Sequence, residues 1–209
     1  MLQTIPSPAT REVPRMNDKL HPVSRDEFLS AMRQAASPVC VVTTNVDGQR
    51  MALTISSFLS VSADPPLVSV CINRNSRMCG AISETGVFGV HLLAHDQAHV
   101  ADNFAGRPRA GGEPYDFSCV QWAPGEGARR EPAMVGVSVS ADCTVVSSTD
   151  AGTHRLFIAE VKNLVTTERR PLIFWNRVYA FPTHPQDTRS DDPMAAPCLL
   201  YTSPSPRDR

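Results

Sequence analysis

The sequence lacks the patterns of a disulfide-bonded, zinc-binding or nucleic-acid-binding protein. Six cysteines occur in 209 residues, but none forms a Cys-x-x-Cys pair. Cys40, Cys71 and Cys143 lie in apolar, strand-like segments, which is typical of reduced and buried thiols. With 20 basic and 21 acidic side chains, the formal net charge is −1. This balance gives no positive surface for a nucleic acid or an anionic membrane, so we expect neither partner.

Long apolar runs are also missing. No segment reaches the roughly 18 apolar residues of a membrane span. Residues 1–24 contain prolines and charged side chains and have no continuous apolar core, unlike a secretory signal. We therefore expect a cytoplasmic protein without a membrane segment.

Two short motifs are incomplete. His95 and His99 stand four residues apart, as on a metalloprotease helix, but Asp96 replaces the glutamate and no third ligand is evident. Residues 125–127 (Gly-Glu-Gly) lack the third glycine and the strand–turn–helix context of a dinucleotide fingerprint. The sequence predicts neither a metal site nor a Rossmann unit.

The chain length suits one domain with flanking tails. We expect residues 1–24 to be a disordered extension, residues 25–182 to be the folded domain, and residues 183–209 to be a disordered, non-native tail. Ser24 and Glu27 form a capping-box pattern before the first predicted helix.

Short strands dominate the folded part. Asp47-Gly48 predicts a hairpin turn, because such turns require positive φ. Residues 135–145 alternate, which predicts a half-exposed strand with Ser138, Ser140, Asp142 and Thr144 facing outward. Further strands are predicted at 39–44, 51–61, 67–72, 87–93, 156–165 and 172–181, and helices at 76–84 and 96–104. This pattern indicates a closed or nearly closed antiparallel barrel with peripheral helices.

Small hydroxyls are dense between Met51 and Ser76. They are followed by an Asn-Arg-Asn-Ser segment at 73–76. Hydroxyls, backbone N–H groups and an arginine at strand ends can hold a phosphate and a polar heterocycle. On composition alone, side chains that merely face solvent on a sheet explain the same pattern. The hydroxyls are Thr54, Ser56, Ser57, Ser60 and Ser62.

These residues carry a family resemblance. The chain from about Phe28 to Phe181 resembles the short-chain flavin reductases, the reductase components of two-component flavin-dependent monooxygenases. The matching segments, in family order, are Ser37–Thr44, Leu53–Ser62, the Asp-Pro-Pro-Leu-Val and Asn-Arg-Asn-Ser segments, Phe88–Val90, Asn103–Gly106, Gly152–His154 and Pro171–Phe174.

The resemblance implies a mainly β protein, a split β-barrel of the FMN-binding type with a few peripheral helices. It also implies a homodimer that binds FMN or FAD at its interface. Pro38, Val39, Thr43 and Thr44 would line the isoalloxazine, and main-chain and hydroxyl groups of Thr54, Ile55, Ser56 and Ser57 would bond its edge and ribityl chain. Asn73, Arg74 and Ser76 would meet the phosphate. Phe104 and Tyr179 complete the cofactor-binding set.

His154 is the catalytic candidate. The resemblance places it against the flavin and the nicotinamide of NADH or NADPH, where positioning matters more than acid–base chemistry. A turn histidine on the barrel rim is the alternative reading of the same residue. The implied activity is an NAD(P)H:flavin oxidoreductase whose reduced flavin diffuses to a separate oxygenase component. The rival function is a non-catalytic flavin-binding split barrel that stores flavin or senses redox state.

The chain departs from the family pattern at two positions. Pro38 stands where a glycine is usual and would stiffen the flavin-facing loop. His91 stands where an asparagine is common; it either adds a titratable group near the cofactor or fills space in the core.

Overall fold

A computed structural model describes residues 22–108, 111–123 and 133–183. Within these ranges the chain is mainly β. The helices are α1 (Arg25–Met32), α2 (Arg77–Thr85) and α3 (Ala98–Phe104), with one 3₁₀ turn at Phe117–Cys119. The strands are β1 (Ser37–Pro38), β2 (Cys40–Val46), β3 (Gln49–Ile55), β4 (Phe58–Ala63), β5 (Pro66–Asn73), β6 (Val87–Leu92), β7 (Trp122–Ala123), β8 (Ala133–Met134), β9 (Val139–Ala151), β10 (His154–Thr166), β11 (Ile173–Trp175) and β12 (Val178–Ala180).

Seven strands form one antiparallel sheet in the order β3-β2-β6-β9-β10-β5-β4. The edge strands β3 and β4 are separated along the chain only by Ser56 and Ser57. Three Cα steps span at most roughly 11 Å, so the two edges must converge at this point. The Ser57 hydroxyl donates to the Cys71 carbonyl oxygen (2.7 Å) and accepts from the Cys71 N–H (3.1 Å). The sheet thus curls into the predicted split β-barrel.

The turns agree with the sequence at one hairpin and differ at another. Asp47 and Gly48 connect β2 and β3 with φ of 51° and 82°, as a turn with positive φ requires. The predicted strand at 172–181 is instead the hairpin β11–β12, because Asn176 and Arg177 adopt φ of 47° and 66°. The predicted strand at 51–61 is likewise divided where the chain crosses between the barrel edges.

The core has two clusters on opposite faces of β2. Val42 faces the cluster that packs α2 against the barrel interior, together with Ile72, Phe88 and Phe157. Val41 belongs to the other cluster, which is covered by α3. Because β2 is buried on both faces at its start, its first three residues, Cys40, Val41 and Val42, are all apolar. The buried members of the second cluster are Val39, Val41, Ala52, Leu93, Val100, Ala101, Phe104, Met134, Val137 and Leu172.

The helix ends follow the sequence signals. Ser24 and Glu27 make the predicted capping box of α1. Ser76 caps α2 by accepting the Met78 N–H at 3.2 Å, and Gly86 ends that helix with φ of 68°. No helix among the described residues is long and apolar enough to cross a membrane.

A buried polar row crosses three neighbouring strands. The His91 ring lies between two hydroxyls, with Nε2 3.0 Å from Thr43 Oγ1 and Nδ1 2.9 Å from Ser140 Oγ. Both ring nitrogens therefore have a partner, as buried polar groups require. Ser138 and Ser140 are buried, so the prediction that they face outward is wrong. The ring of Trp122 packs edge-on to His91 with centroids 5.8 Å apart, over a face that alternation alone marks as exposed.

Gly89 is required beside this row. A Cβ at Gly89 would lie 2.6 Å from Thr43 Oγ1 and 3.2 Å from His91 Nε2. We expect Gly89→Ala to lower the free energy of unfolding by about 1–3 kcal/mol, because it overpacks a satisfied buried network. Urea denaturation measures this change.

Gly80→Ala is the matched control. Gly80 lies in α2, and a Cβ added there would meet nothing within 4 Å. Alanine at this position should therefore stabilise the protein by about 0.5–1 kcal/mol. Equal effects of the two substitutions would contradict the contact assigned to Gly89.

Candidate functional site at the barrel edge

The C-terminal turn of α3 is closed by a Schellman motif. Gly106 has φ of 72°, and its N–H donates to the Asn103 carbonyl oxygen at 3.1 Å. The Arg107 N–H donates to the Asp102 carbonyl oxygen at 2.9 Å. These two bonds satisfy carbonyls that a helix end leaves open and fix the direction of the chain after the helix.

Two other elements are hydrogen-bonded to the same turn. The Thr54 hydroxyl on β3 donates to the Ala101 carbonyl oxygen at 2.7 Å. The Tyr179 hydroxyl on β12 donates to Asp102 Oδ1 at 2.8 Å. An edge strand, a helix end and a hairpin therefore meet around one concave surface.

This surface is a groove of about 150 Å³, which we call the edge groove. Phe174 and Tyr179 form one wall, with ring centroids 5.5 Å apart. Among the described residues β3 pairs only with β2, so alternate backbone N–H and C=O groups of β3 are unused by the sheet. The lining residues are Val39, Thr54, Ile55, Ser56, Ala105, Arg107, Phe174 and Tyr179.

The Tyr179 hydroxyl remains a hydrogen-bond donor at neutral pH. Partial burial raises the pKa of Tyr179 to about 12, and the hydrogen bond and negative charge of Asp102 act in the same direction. The positive charge of Arg107 opposes them. The groove thus presents a neutral phenol and a guanidinium side by side.

A larger cavity of about 480 Å³ lies at the N-terminus of α2, and we call it the helix cavity. Ser76, the cap residue of α2, lines it together with Arg77. The Arg50 guanidinium stacks 4.6 Å from the Phe117 ring centroid. Helix N-termini and arginines both favour anions, so this cavity suits a phosphate. It is lined by Arg50, Met51, Ala52, Leu53, Ser76, Arg77, Met78, Tyr115 and Phe117.

A third group of polar residues lies at the strand ends beside the Ser56-Ser57 crossing. His154 begins β10 directly opposite Asn73, the last residue of β5. His154 Nδ1 lies 2.9 Å from Thr153 Oγ1, and the Arg74 N–H donates to the Thr153 carbonyl oxygen at 3.0 Å. All of these side chains are exposed.

Two arginines share one carboxylate next to this group. Asp150 accepts from Arg155 Nε at 2.7 Å and from Arg74 Nη1 at 3.2 Å. The hydrogen bond from Arg155 is the main reason that the pKa of Asp150 lies below its ordinary value. One positive charge remains after this sharing, and Arg155 also donates to the Ser83 hydroxyl of α2 at 3.0 Å.

The structure gathers most of the predicted site residues. Val39, Thr54, Ile55, Ser56 and Tyr179 line the edge groove. Ser57, Asn73, Arg74 and His154 lie at the adjoining strand ends, and Ser76 lines the helix cavity. Pro38 of β1 is half-buried and pairs with Ile173 of β11.

Three predicted residues are buried in the scaffold instead. Thr43 is 3% exposed, and Thr44 and Phe104 are fully buried. The Thr44 hydroxyl donates to the Val87 carbonyl oxygen at 3.0 Å, and Phe104 packs against Phe117. These three side chains line neither the edge groove nor the helix cavity, so our proposed site leaves them out.

Sequence reasoning missed Arg107 and Phe174 in the edge groove. Both lie within or directly after segments that carry the family resemblance, Asn103–Gly106 and Pro171–Phe174. Their position in or next to these segments was the sequence signal that could have identified them as site residues. Arg77 of the helix cavity likewise follows the Asn-Arg-Asn-Ser segment directly. Arg50, Tyr115 and Phe117 neither lie in nor directly follow a segment of the resemblance, so their contribution depended on the fold.

The fold and the groove define a class of protein, an antiparallel split barrel with a ligand groove at its open edge. The model of the family described as Flavin reductase like domain matches residues 32–182. The chain belongs to this family.

Individual relatives agree. The chain is 37% identical over 166 residues to Flavin reductase (NADH) of Kitasatospora aureofaciens, covering 76% of this chain and 82% of that protein. It is 31% identical over 155 residues to the 4-hydroxyphenylacetate 3-monooxygenase reductase component of Escherichia coli, covering 73% and 89%. The solved styrene monooxygenase flavin reductase of Pseudomonas putida superposes with a TM-score of 0.65 at 30% identity, covering 76% and 98%.

The hydrogen bond between Tyr179 and Asp102 should contribute measurably to the free energy of unfolding. We expect Tyr179→Phe to lower the free energy of unfolding by about 0.5–1.5 kcal/mol at neutral pH, because one hydrogen bond is lost. The raised pKa means that this contribution is complete below the ordinary tyrosine pKa and is lost as the pH rises toward about 12. Urea denaturation at neutral pH and at about pH 11 compares the two proteins.

Tyr115→Phe is the control, because Tyr115 is 48% exposed and its hydroxyl has no hydrogen-bond partner among the described residues. The account of Tyr179 is contradicted if its substitution changes stability no more than this control, or if the difference grows with pH.

Proposed function

We propose that the protein is an NAD(P)H:flavin oxidoreductase. It transfers a hydride from NADH or NADPH to FMN or FAD and supplies the reduced flavin to a separate oxygenase component. The observation that carries this function is the edge groove, where an unpaired strand edge and the hydroxyls of Thr54 and Ser56 face an aromatic wall.

The residues of the groove fit a flavin ring. A flavin is a planar, largely apolar ring system with a polar edge of alternating donors and acceptors. The free backbone groups of β3 and of the Ser56-Ser57 crossing match that edge, and Phe174 and Tyr179 match the apolar rings. Bound flavin supplies the hydride acceptor; the protein supplies position, a dry wall and fixed dipoles.

The phosphate end of the cofactor would lie at the helix cavity. Ser76 and Arg77 stand at the N-terminus of α2, where backbone N–H groups and the helix dipole attract a negative charge. Asn73 and Arg74 precede this helix directly and extend the same polar surface.

His154 would hold the nicotinamide. It is exposed at the start of β10, and its Nδ1 is engaged by Thr153, which leaves Nε2 to face a ligand. A ring held in this way orients a carboxamide or balances negative charge on the reduced cofactor. No proton needs to pass through the ring for the hydride to move.

The named relatives support the substrates and the partner. One relative is named for NADH as its donor and another as the reductase component of a monooxygenase. This naming agrees with a product that leaves the protein and is consumed by an oxygenase.

We also propose a homodimer. Helix α1 has no buried residue, and Phe28 and Met32 are 55% and 50% exposed. The N–H of Asn176 donates to the Arg33 carbonyl oxygen at 3.0 Å, which sets the β11–β12 hairpin, with exposed Trp175 and Val178, beside the helix end. Exposed apolar area of this kind marks a contact surface. Sedimentation equilibrium should give twice the mass of one chain; a monomer at micromolar concentration would contradict the proposal.

Turnover tests the function directly. Purified protein should oxidise NADH or NADPH when excess FMN or FAD is added, and nucleotide oxidation should be negligible without flavin. Stoichiometric flavin binding with no turnover would favour a flavin store or redox sensor instead.

The same assay tests His154. We expect His154→Ala to lower kcat roughly 10- to 100-fold, because a preorganised polar group is lost at the reacting end of the site. The dissociation constant for FMN, measured by fluorescence quenching, should change little. Equal losses in both quantities would assign His154 to the scaffold.

A further inference from the structure

Arg107 is the single cation among the described residues that line the edge groove. The Schellman motif of α3 fixes its backbone. Its side chain makes no hydrogen bond or ion pair with another residue in the described ranges. Its charge acts on Tyr179, whose hydroxyl is itself engaged with Asp102. The guanidinium is therefore placed at the groove without a protein partner that uses its donors.

We propose that Arg107 contacts the flavin ring and selectively stabilises its reduced form. The inference rests on the proposed function. Hydride transfer from the nicotinamide to neutral oxidised flavin yields the oxidised nucleotide and a reduced flavin that carries one negative charge. A guanidinium beside the ring lowers the free energy of that anion and has little effect on the neutral ring.

The arrangement of the groove favours this role. Thr54 and Tyr179 donate their hydroxyl protons to Ala101 and Asp102, so they are not free to donate to a new negative charge. Arg107 keeps its donors available and carries a permanent charge. It is the residue best suited to meet the charge that appears on reduction.

A phosphate is the other anionic group that Arg107 could meet. A phosphate has the same charge before and after reduction, and riboflavin lacks it. The ring and the phosphate can therefore be separated by comparing oxidised with reduced ligand, and FMN with riboflavin.

The experiment measures dissociation constants for oxidised and, under anaerobic conditions, reduced FMN and riboflavin. It uses the full chain, Arg107→Gln, Arg107→Lys and Lys162→Gln. We expect Arg107→Gln to weaken binding of the reduced ligand about tenfold more than that of the oxidised ligand, with FMN and with riboflavin alike. The midpoint potential of bound flavin should fall correspondingly by about 30 mV.

Two control variants test whether the charge of Arg107, at its own position, causes the difference in binding. Arg107→Lys should retain most of the difference, because the charge is kept. Lys162→Gln removes a positive charge from an exposed residue of β10 that lines neither the edge groove nor the helix cavity and should have no effect.

Two outcomes overturn the proposal. An equal loss for both redox states with FMN and no loss with riboflavin would assign Arg107 to a phosphate. Unchanged constants in Arg107→Gln would remove it from the site. Failure of the unsubstituted chain to bind any flavin would instead refute the proposed function itself, so the two failures are distinguishable.

Discussion

The last turn of α3 is the constraint on which the site depends. It receives Thr54 from the edge strand β3 and Tyr179 from the hairpin strand β12, and it directs the chain into Arg107. The Thr54 hydroxyl bonds the Ala101 carbonyl oxygen, which also accepts the Ala105 N–H, and the Tyr179 hydroxyl bonds the side chain of Asp102. The groove exists because three segments far apart in sequence are held at this one turn, and not because any one of them is concave.

The open edge of the barrel also helps to form the groove. Sheet edges invite pairing with other strands, and proteins usually cover or blunt them. Here α3 covers part of β3, and Ser57 substitutes for a ladder residue by bonding both backbone groups of Cys71. What remains uncovered is a short stretch of backbone next to hydroxyls, which is suited to a flat polar ligand and too short for another strand.

The parts of the fold that could be predicted are local. Capping residues and the Asp47-Gly48 turn depend on neighbours in sequence, and the structure confirms them. The β11–β12 hairpin was missed because its turn uses Asn176 and Arg177 at positive φ without glycine. The outward face assigned to Ser140 was wrong because its hydroxyl bonds His91, against which the distant residue Trp122 packs. Ser138 is buried as well.

The candidate site also contains some residues that the sequence could indicate and others that it could not. Residues at strand ends, such as Ser56 and Asn73, were indicated by the family resemblance, since on composition alone they could equally have been solvent-facing side chains. The burial of Thr43 and Thr44 could not be predicted, since a strand buried on both faces gives no period that shows which way a threonine points. Arg107 had only its position directly after Asn103–Gly106 as a sequence signal, because its place in the groove follows from the packing of α3 against two other elements.

The most direct measurement of the central claim is a crystal structure of the protein with FMN. The account predicts the isoalloxazine in the edge groove, with its polar edge within hydrogen-bond distance of the backbone of Thr54, Ile55 and Ser56 and its rings beside Phe174 and Tyr179. A ring bound elsewhere, with the groove filled by solvent, would contradict it.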